Sequence, residues 1–447
     1  MAKNVVIIGG GAVGMSVATY LKRHTNHNVV VFSSESYTAY SQCGLPFVLE
    51  GKISGFNNLI VKSNDALMGM GIALHLDTLV NIIDANNQKV ISDIGVFNYD
   101  YLIISTGSRP FIPPIQGREL KGVFPLHIMS DAIAIDKSLN NTSRVLIIGA
   151  GGIGVEIGAS LVKRGLETTL VEALSQVLPL TLDPDMASLI GNYLNSLGVR
   201  VITGIQVESI NGSQHVESVT VGGEIFLAET VIVATGLRPN VDIAGEAGFD
   251  IGPTGGIVTD ERLRVSYQGE FLDNVYSGGE CAQVIDLITG QPTISRLGSA
   301  ARRMARVIGE NLNGKISNYP PTLSPNVVAV GDLVAGQVGI TSHIAQVNDI
   351  SVVSGSSKGL TRAGYYPGAR PLHIKLLFAN EKLVGAQVIS HEGVKERIDA
   401  FSLAIRMGAT VDDLLRWETS YAPPVSGVID PVTFAVDDAR KNMEATA

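Results

Sequence analysis

Two glycine-rich loops and one cysteine carry the strongest chemical signals in this chain. Each loop places three glycines at Gly-x-Gly-x-x-Gly spacing after an apolar run. These glycines are Gly9, Gly11 and Gly14 in the first loop, and Gly149, Gly151 and Gly154 in the second. Such a loop lets a pyrophosphate approach backbone N–H groups at a helix N-terminus, where the helix dipole favours negative charge. Two such loops, with Cys43 after the first, indicate an enzyme that binds a flavin and a nicotinamide and passes electrons to sulfur or oxygen.

Cys43 is the residue whose position most strongly suggests redox chemistry. It precedes Gly44 and a helix-like segment at residues 45–49, and a helix N-terminus lowers the pKa of a thiol. The sequence therefore predicts a stabilised thiolate. Cys281, the second cysteine, lies far away in sequence and is expected to be structural. No Cys-x4-Cys pair exists, which excludes a redox dithiol of that spacing.

A carboxylate marks the second loop as a nicotinamide site. Glu172 closes the strand that follows this loop, 18 residues after Gly154. A carboxylate there accepts hydrogen bonds from ribose hydroxyls and repels a 2′-phosphate. No arginine follows immediately. The sequence therefore predicts that NADH is preferred over NADPH.

The predicted strands and helices around these residues form an internal repeat. Apolar periodicity predicts two βαβ units, which recur after about 140 residues. The predicted elements are strands 5–9 and 28–32 with helix 13–24, and strands 144–149 and 167–172 with helix 153–164. Two further buried strands end in Thr106-Gly107 and Thr235-Gly236, and a third ends near Gly279-Glu280.

After residues 319–321 the pattern changes to alternating strands and one amphipathic helix, which predicts a separate C-terminal α+β unit. Its predicted elements are strands 327–330, 372–378 and 383–389 and helix 394–407. The predicted fold class is thus α/β, with two Rossmann-like nucleotide-binding domains and a C-terminal α+β dimerisation domain.

Length and composition exclude several classes of protein. A chain of 447 residues exceeds one hydrophobic core, so two to four domains are expected. The net charge of -9 and the lack of a basic block argue against nucleic-acid binding. No signal peptide, bilayer-spanning apolar run or metal-spaced His/Cys cluster is recognised. We therefore expect a soluble cytoplasmic protein without a metal.

Taken together, these motifs identify a family resemblance. The chain resembles the flavoprotein pyridine nucleotide–disulfide oxidoreductases, and within them the branch with one redox-active cysteine. That branch comprises coenzyme A-disulfide reductases, NADH oxidases and peroxidases, and persulfide or sulfur reductases. The resemblance covers essentially the whole chain. It rests on the motifs above and on residues 40–46, 365–368 and 421–424.

The resemblance implies a domain order and a set of cofactor residues. An FAD-binding domain would span 1–112 and 245–325, an NAD(H)-binding domain 113–244, and an interface domain 326–447. FAD would contact Gly9, Gly11, Ala12, Gly14, Ser33, Ser34, Val80, Ser105, Thr106, Gly107, Gly279, Glu280, Leu297 and Ser299. NAD(H) would contact Gly149, Gly151, Ile153, Gly154, Glu156, Glu172 and Gly236.

One position departs from the family pattern. Relatives carry a carboxylate after the second strand to hold the adenosine ribose of FAD, whereas this chain has Ser33. Either a serine hydroxyl takes that role or Glu35 swings in. Glu280 replaces the family aspartate that holds a ribityl hydroxyl and is one methylene longer.

The resemblance also implies residues for the electron acceptor. Cys43 would be the redox centre, and Tyr421 of the other subunit of a homodimer would assist protonation. Lys22, Arg23, Gln42, Tyr365 and Tyr366 would contact the substrate, although Lys22 and Arg23 could equally form a solvated helix end.

Three functions remain open on this reading. Ala12 stands where NADH peroxidases and water-forming oxidases carry a histidine, which favours reduction of coenzyme A disulfide or a related persulfide. The alternative enzyme is an NADH oxidase that passes electrons from FAD to O2, with peroxide formation favoured over water formation. The alternative of another class is a redox-sensing flavoprotein that acts through a partner.

Overall fold

The first glycine loop follows the carboxyl end of an inner strand of a six-stranded sheet. In the computed structural model, which describes residues 1–446, the strand order is Arg264–Tyr267, Glu270–Ser277, Tyr101–Ile104, Asn4–Ile8, Asn28–Phe32 and Ile72–His75. All neighbouring strands are parallel except the first pair. Because the carboxyl ends of parallel strands share an edge, the first loop, Ser33, Thr106 and Gly279 come to one side of this sheet.

The second loop repeats this arrangement in a five-stranded parallel sheet. Its order is Val199–Thr203, Glu167–Glu172, Arg144–Ile148, Thr230–Val233 and Val123–Pro125. All of these strands lie in sequence between Tyr101–Ile104 and Glu270–Ser277, which pair with each other in the first sheet. The segment that forms the second sheet is therefore inserted, in sequence, between two strands of the first sheet.

Helices cover both sheets and carry the loops. The α-helices are Ala12–His24, Leu45–Glu50, Asn64–Met68, Met129–Leu139, Gly152–Lys163, Pro184–Leu197, Asp242–Glu246, Gly298–Leu312, Ser342–Val347, Val394–Met407, Val411–Leu415 and Pro431–Thr446. Short 3-10 turns span Gln42–Gly44 and Phe56–Leu59. Gly11 and Gly151 cap the two loop helices without a side-chain hydrogen bond, so the first N–H groups stay available to a ligand. Within residues 1–446, none of the helices is both long enough and apolar enough to cross a bilayer.

The C-terminal part forms a five-stranded antiparallel sheet. Its order is Asn326–Val330, Leu333–Gly339, Lys382–Ser390, Pro371–Ala379 and Val353–Leu360. The pattern at 394–407 predicted the helix bounds correctly, but strands 333–339 and 353–360 and the last helix were missed. Glycine interrupts the apolar alternation in both missed strands, and serine does so in strand 353–360. Val328, Ala335 and Ile389 of this sheet share a core with the second unit.

Small sheets complete the structure. Their strands are Val80–Asp84, Lys89–Ser92, Gly95–Asn98, Ser108–Pro110, Val207–Asn211, Ser218–Val221, Glu224–Leu227, Leu237–Pro239, Ile257–Val258, Ala282–Ile285 and Pro292–Thr293. Ser108–Pro110 pairs with Leu237–Pro239, so the segments that leave the two Thr-Gly turns run against each other. Each threonine hydroxyl donates to the other segment, Thr106 to the Asn240 carbonyl and Thr235 to the Phe111 carbonyl.

Candidate active site

The glycines of the first loop have three different spatial roles. A Cβ at Gly9 would collide with the Ser105 carbonyl, and one at Gly14 would collide with the Gly9 carbonyl. A Cβ at Gly11 would meet nothing within 4 Å. Gly9 thus permits the tight turn, Gly14 permits close helix–strand packing, and Gly11 leaves open space where a phosphate can approach the backbone.

The second loop shows the same division of roles. Gly149 and Gly154 are crowded by backbone atoms, whereas a Cβ at Gly151 would meet nothing within 4 Å. Ile153, beside these glycines, is half-buried at the start of the loop helix. Both loops therefore fit a dinucleotide pyrophosphate.

Glu172 is fixed beside the second loop. One of its carboxylate oxygens accepts from the Ala150 N–H at 2.7 Å and the other from the Leu174 N–H at 2.9 Å. Glu172 lies at the end of its strand, next to the glycine turn, and is buried. Each oxygen keeps a further lone pair that can accept from a hydroxyl.

Several of the residues predicted to hold the flavin lie close to the first loop. The Ser105 hydroxyl donates to the Ile8 carbonyl at 3.0 Å, and Gly107 turns the chain with a φ of 67°. Gly279 approaches Val13, and the Leu297 backbone caps the helix that packs against Ala12–His24. Ser299 and Ser34 are exposed, and Val80 is buried in the core with Ile8 and Phe32.

Glu280 has a partner that the sequence did not reveal. The Ser108 hydroxyl donates to its carboxylate. The two residues are 172 positions apart, so no local pattern could indicate the contact. The Glu280 carboxylate is thus tied to the segment that follows Thr106-Gly107.

Cys43 is positioned by packing on both of its sides. It lies in the 3-10 turn Gln42–Gly44, where a Cβ on Gly44 would collide with Leu59. The next helix, Leu45–Glu50, buries Leu45 and Leu49 in the core of the second unit. The Arg164 guanidinium donates to the Leu49 carbonyl at 3.0 Å. The thiol is thereby held between the first and second units.

The sequence predicted a lowered pKa for the Cys43 thiol, and in the single chain the direction of that prediction is wrong. The residue is exposed on one side, but the protein around its other sides desolvates the thiol and raises its pKa. The Glu156 and Glu280 carboxylates raise this pKa further. The following helix, whose N-terminus was expected to lower this pKa, has only six residues. Cys281 is fully buried against the Ile104 and Gly278 carbonyls, at 3.5 Å from each.

Glu156 links the second loop to the C-terminal sheet. Its carboxylate accepts from the Ala329 N–H at 3.0 Å. Burial raises the pKa of Glu156 to about 7 from an ordinary 4.5. The carboxyl group is therefore partly protonated near neutral pH, beside Cys43.

This shift predicts a pH-dependent stability. Because the folded protein binds the Glu156 proton more tightly than the unfolded chain, the stabilisation is complete below about pH 4.5 and is lost as pH rises through about 7. Glu156→Gln cannot ionise, so its free energy of unfolding, relative to that of the wild type, should rise by roughly 2 kcal/mol from pH 5 to pH 8. Urea unfolding of both proteins at the two pH values measures this. Glu119→Gln, at an exposed carboxylate, is the control, and parallel curves for wild type and Glu156→Gln would contradict the prediction.

Two tyrosines of the C-terminal unit form an exposed pair. The Tyr365 and Tyr421 hydroxyls lie 3.2 Å apart in one chain, with 77% and 44% of the residues exposed. This hydrogen bond raises the pKa of Tyr421, which keeps its phenol protonated. The neighbouring Tyr366 is not part of the pair. The contact therefore selects Tyr365 over Tyr366 as the companion of Tyr421.

Lys22 and Arg23 differ in their environments. Lys22 donates to the His27 carbonyl at 3.2 Å and packs beside Gly71, so its ammonium closes the end of its own helix. Arg23 is exposed at the same helix end, and Gln42 is exposed beside Cys43. Of the two basic residues, Lys22 is the one tied to its own helix end, and the role of the pair at the substrate stays a prediction.

Comparison with known proteins identifies the family. Residues 3–305 match the family model of the pyridine nucleotide-disulphide oxidoreductases, and residues 325–432 match the dimerisation domain of that family. An NADH oxidase of Methanocaldococcus jannaschii is 40% identical over 98% of this chain and 99% of the relative. An NAD(P)H coenzyme A polysulfide/persulfide reductase of Pyrococcus horikoshii is 33% identical over 97% of each chain.

Solved structures agree with the family model. An NAD-dependent persulfide reductase from A. fulgidus has a TM-score of 0.94 and 32% identity, over 99% of this chain and 84% of that chain. The predicted α/β fold class with a C-terminal dimerisation domain is confirmed, and the family supports the use of FAD and NAD(P)H. From its loops, its single exposed cysteine and these matches, the chain belongs to the pyridine nucleotide-disulphide oxidoreductase family of enzymes.

Proposed function

We propose that this enzyme uses NADH and FAD to reduce coenzyme A disulfide, or a related disulfide or persulfide, at Cys43. One observation carries the proposal: Cys43 lies in the turn before helix Leu45–Glu50, whose Leu45 and Leu49 pack into the core of the second unit, so the thiol lies where the two nucleotide-binding units meet. A residue so placed can receive electrons that enter at the second loop and pass through the first unit. The named persulfide reductases among the relatives support this acceptor class.

The cofactor residues follow the two loops. We assign FAD to the domain formed by 1–112 and 245–325 and NAD(H) to 113–244, with 326–447 as the interface domain. The open space at Gly11 and Gly151 supports the two phosphate sites. FAD, when bound, supplies a two-electron relay between NADH and sulfur.

The chain's own residues then perform the sulfur chemistry. The Cys43 thiolate attacks one sulfur of the acceptor, the S–S bond breaks, and the released thiolate takes a proton. Two electrons then break the Cys43–S–S–R bond, restore the Cys43 thiolate and release a second thiolate, which also takes a proton. NADH supplies the two electrons and one proton, and solvent supplies the other.

Glu172 should determine the choice of electron donor. Its fixed carboxylate would accept from the ribose hydroxyls of NADH and repel the 2′-phosphate of NADPH. We expect NADH to be the better donor in kcat/KM by roughly 1–3 kcal/mol, and Glu172→Ser to reduce that preference. Steady-state kinetics with both donors measures this. Equal or better use of NADPH by the wild type would show that Glu172 does not lie at the ribose.

The C-terminal unit should complete the site of a second subunit. We infer a symmetric homodimer in which Tyr421, paired with Tyr365, reaches Cys43 of the other chain. The exposure of both phenols on a unit that matches a dimerisation domain supports this. A protonated phenol there can supply the proton that the leaving thiolate needs.

An NADH oxidase is the second candidate. The 40% identical relative from Methanocaldococcus jannaschii carries that name, and reduced flavin can pass electrons to O2 without the thiol. Ala12 supplies no acid–base group beside the loop, which favours peroxide over water as the product.

The acceptor can be tested directly. Anaerobic NADH consumption with coenzyme A disulfide, polysulfide or neither, compared with aerobic consumption without sulfur, separates the two enzymes. The mass of Cys43 in the isolated protein adds independent evidence, because a coenzyme A adduct, a sulfenic acid and a free thiol indicate different chemistry. Turnover with O2 alone would favour the oxidase. No turnover with any acceptor would favour a redox-sensing flavoprotein.

A further inference from the structure

The two glycine loops provide an internal comparison within one chain. Parallel pairing aligns Ile8 with Phe32 in the first unit and Ile148 with Val171 in the second. Ser33 is therefore the structural counterpart of Glu172. By the same register, Gly10 is the counterpart of Ala150.

These equivalent positions differ in the hydrogen bonds that they accept from backbone N–H groups of the loop. In the second loop, Glu172 accepts from both the Ala150 and the Leu174 N–H groups. In the first loop, the one bond that the Ser33 hydroxyl accepts among residues 1–446 comes from the Glu35 N–H, at 3.2 Å, and corresponds to the Leu174 bond. The bond that would correspond to the Ala150 N–H is missing.

The Gly10 N–H is consequently left without a partner. Gly10 is buried, and within residues 1–446 no acceptor meets its N–H. A buried backbone N–H without an acceptor is rare in folded proteins and indicates a ligand or water. A Cβ on Gly10 would lie 2.7 Å from the Thr38 methyl and 2.9 Å from both the Cβ and the oxygen of Ser33, so Gly10 packs directly against the Ser33 side chain.

The Glu35 carboxylate is held away from the role of the missing carboxylate by one of its two oxygens. It accepts from the Tyr40 hydroxyl at 2.8 Å, and that hydroxyl accepts from the Met129 N–H at 3.1 Å. This chain of contacts ties Glu35 to the start of helix Met129–Leu139. The carboxylate is thus used to hold the segment before Cys43.

We propose that the adenosine ribose of FAD is bound here without a carboxylate, by the Ser33 hydroxyl and the Gly10 N–H. The inference rests on the proposed binding of FAD at the first loop. The Ser33 hydroxyl can both donate to and accept from a ribose oxygen, whereas an ionised Glu can only accept. The Gly10 N–H, whose counterpart in the second loop donates to the Glu172 carboxylate, donates here to a ribose oxygen.

A binding cycle tests the proposal without reference to turnover. Flavin fluorescence on release measures the FAD dissociation constant of the wild type and Ser33→Ala. Each is also reconstituted with an FAD analogue whose adenosine lacks the 2′ and 3′ hydroxyls. We expect Ser33→Ala to weaken FAD binding roughly three- to tenfold, as for one neutral hydrogen bond. The analogue should bind the two proteins almost equally, because the partner of Ser33 has been removed.

Two further variants make the outcomes distinct. Glu35→Gln should leave FAD affinity unchanged, and Glu172→Ser should weaken NADH binding but not FAD binding. The inference is overturned if Ser33→Ala binds FAD like the wild type, if it loses affinity for the analogue equally, or if Glu35→Gln weakens FAD binding as much. If Glu172→Ser releases FAD, the loops have been assigned to the wrong nucleotides and the proposed function fails instead.

Discussion

Replacing Cys43 with serine should abolish the reduction of disulfides and persulfides while FAD remains bound and reducible by NADH. A serine hydroxyl is a far weaker nucleophile than a thiolate and forms no mixed disulfide, so the sulfur step has no route. We expect kcat to fall by at least about a thousandfold, or roughly 4 kcal/mol in activation free energy. Anaerobic stopped-flow reduction of the flavin, followed by addition of coenzyme A disulfide, measures both half-reactions separately.

Cys281→Ser is the matched control for this variant. Cys281 is the other cysteine, lies in the core, and touches carbonyl oxygens to which a serine hydroxyl can donate. Its replacement should leave the sulfur step intact. A Cys43→Ser protein that reduces coenzyme A disulfide at a near wild-type rate would show that the mechanism is wrong. Oxidase activity retained by that variant would not, because oxygen can take electrons from the flavin directly.

Mixing Cys43→Ser subunits with Tyr421→Phe subunits should restore activity that neither parent has. In the mixed dimer, one site loses both groups and the other keeps the wild-type Cys43 of one chain and the wild-type Tyr421 of its partner. With random exchange, half of the dimers are mixed and each has one intact site, so about a quarter of wild-type activity should return. The measurement is disulfide reduction after subunit exchange, with exchange confirmed by native mass spectrometry.

Tyr366→Phe provides the control for the tyrosine. Tyr366 adjoins Tyr365 in sequence but is not in the hydroxyl pair, so a Tyr366→Phe parent should be active before mixing. The shared site is refuted if confirmed exchange returns no activity, or if the wild type sediments as an active monomer. Tyr421→Phe that is fully active as a homodimer would remove Tyr421 from the protonation step.

Local sequence patterns predicted the architecture well for a physical reason. A parallel strand, a glycine turn and an amphipathic helix are specified by residues within about 30 positions of one another. The loops at Gly9 and Gly149 therefore indicated both nucleotide-binding units, and the spacing of apolar residues located helix Val394–Met407. Strands such as Val353–Leu360 were missed because their sequence contains too few β-branched residues to mark them.

The order of the residues was enough to predict the fold class, the presence of two nucleotide loops, and Cys43 as the one cysteine beside them. How these parts meet became visible only in the folded chain. The convergence of Glu156 and Glu280 on Cys43 joins residues more than 100 positions apart, and their charges and the surrounding protein reverse the expected direction of the thiol pKa shift. The partners of Glu35, Lys22 and Tyr421 were likewise set by packing. Charge and burial depend on neighbours in space, which a one-dimensional pattern does not contain.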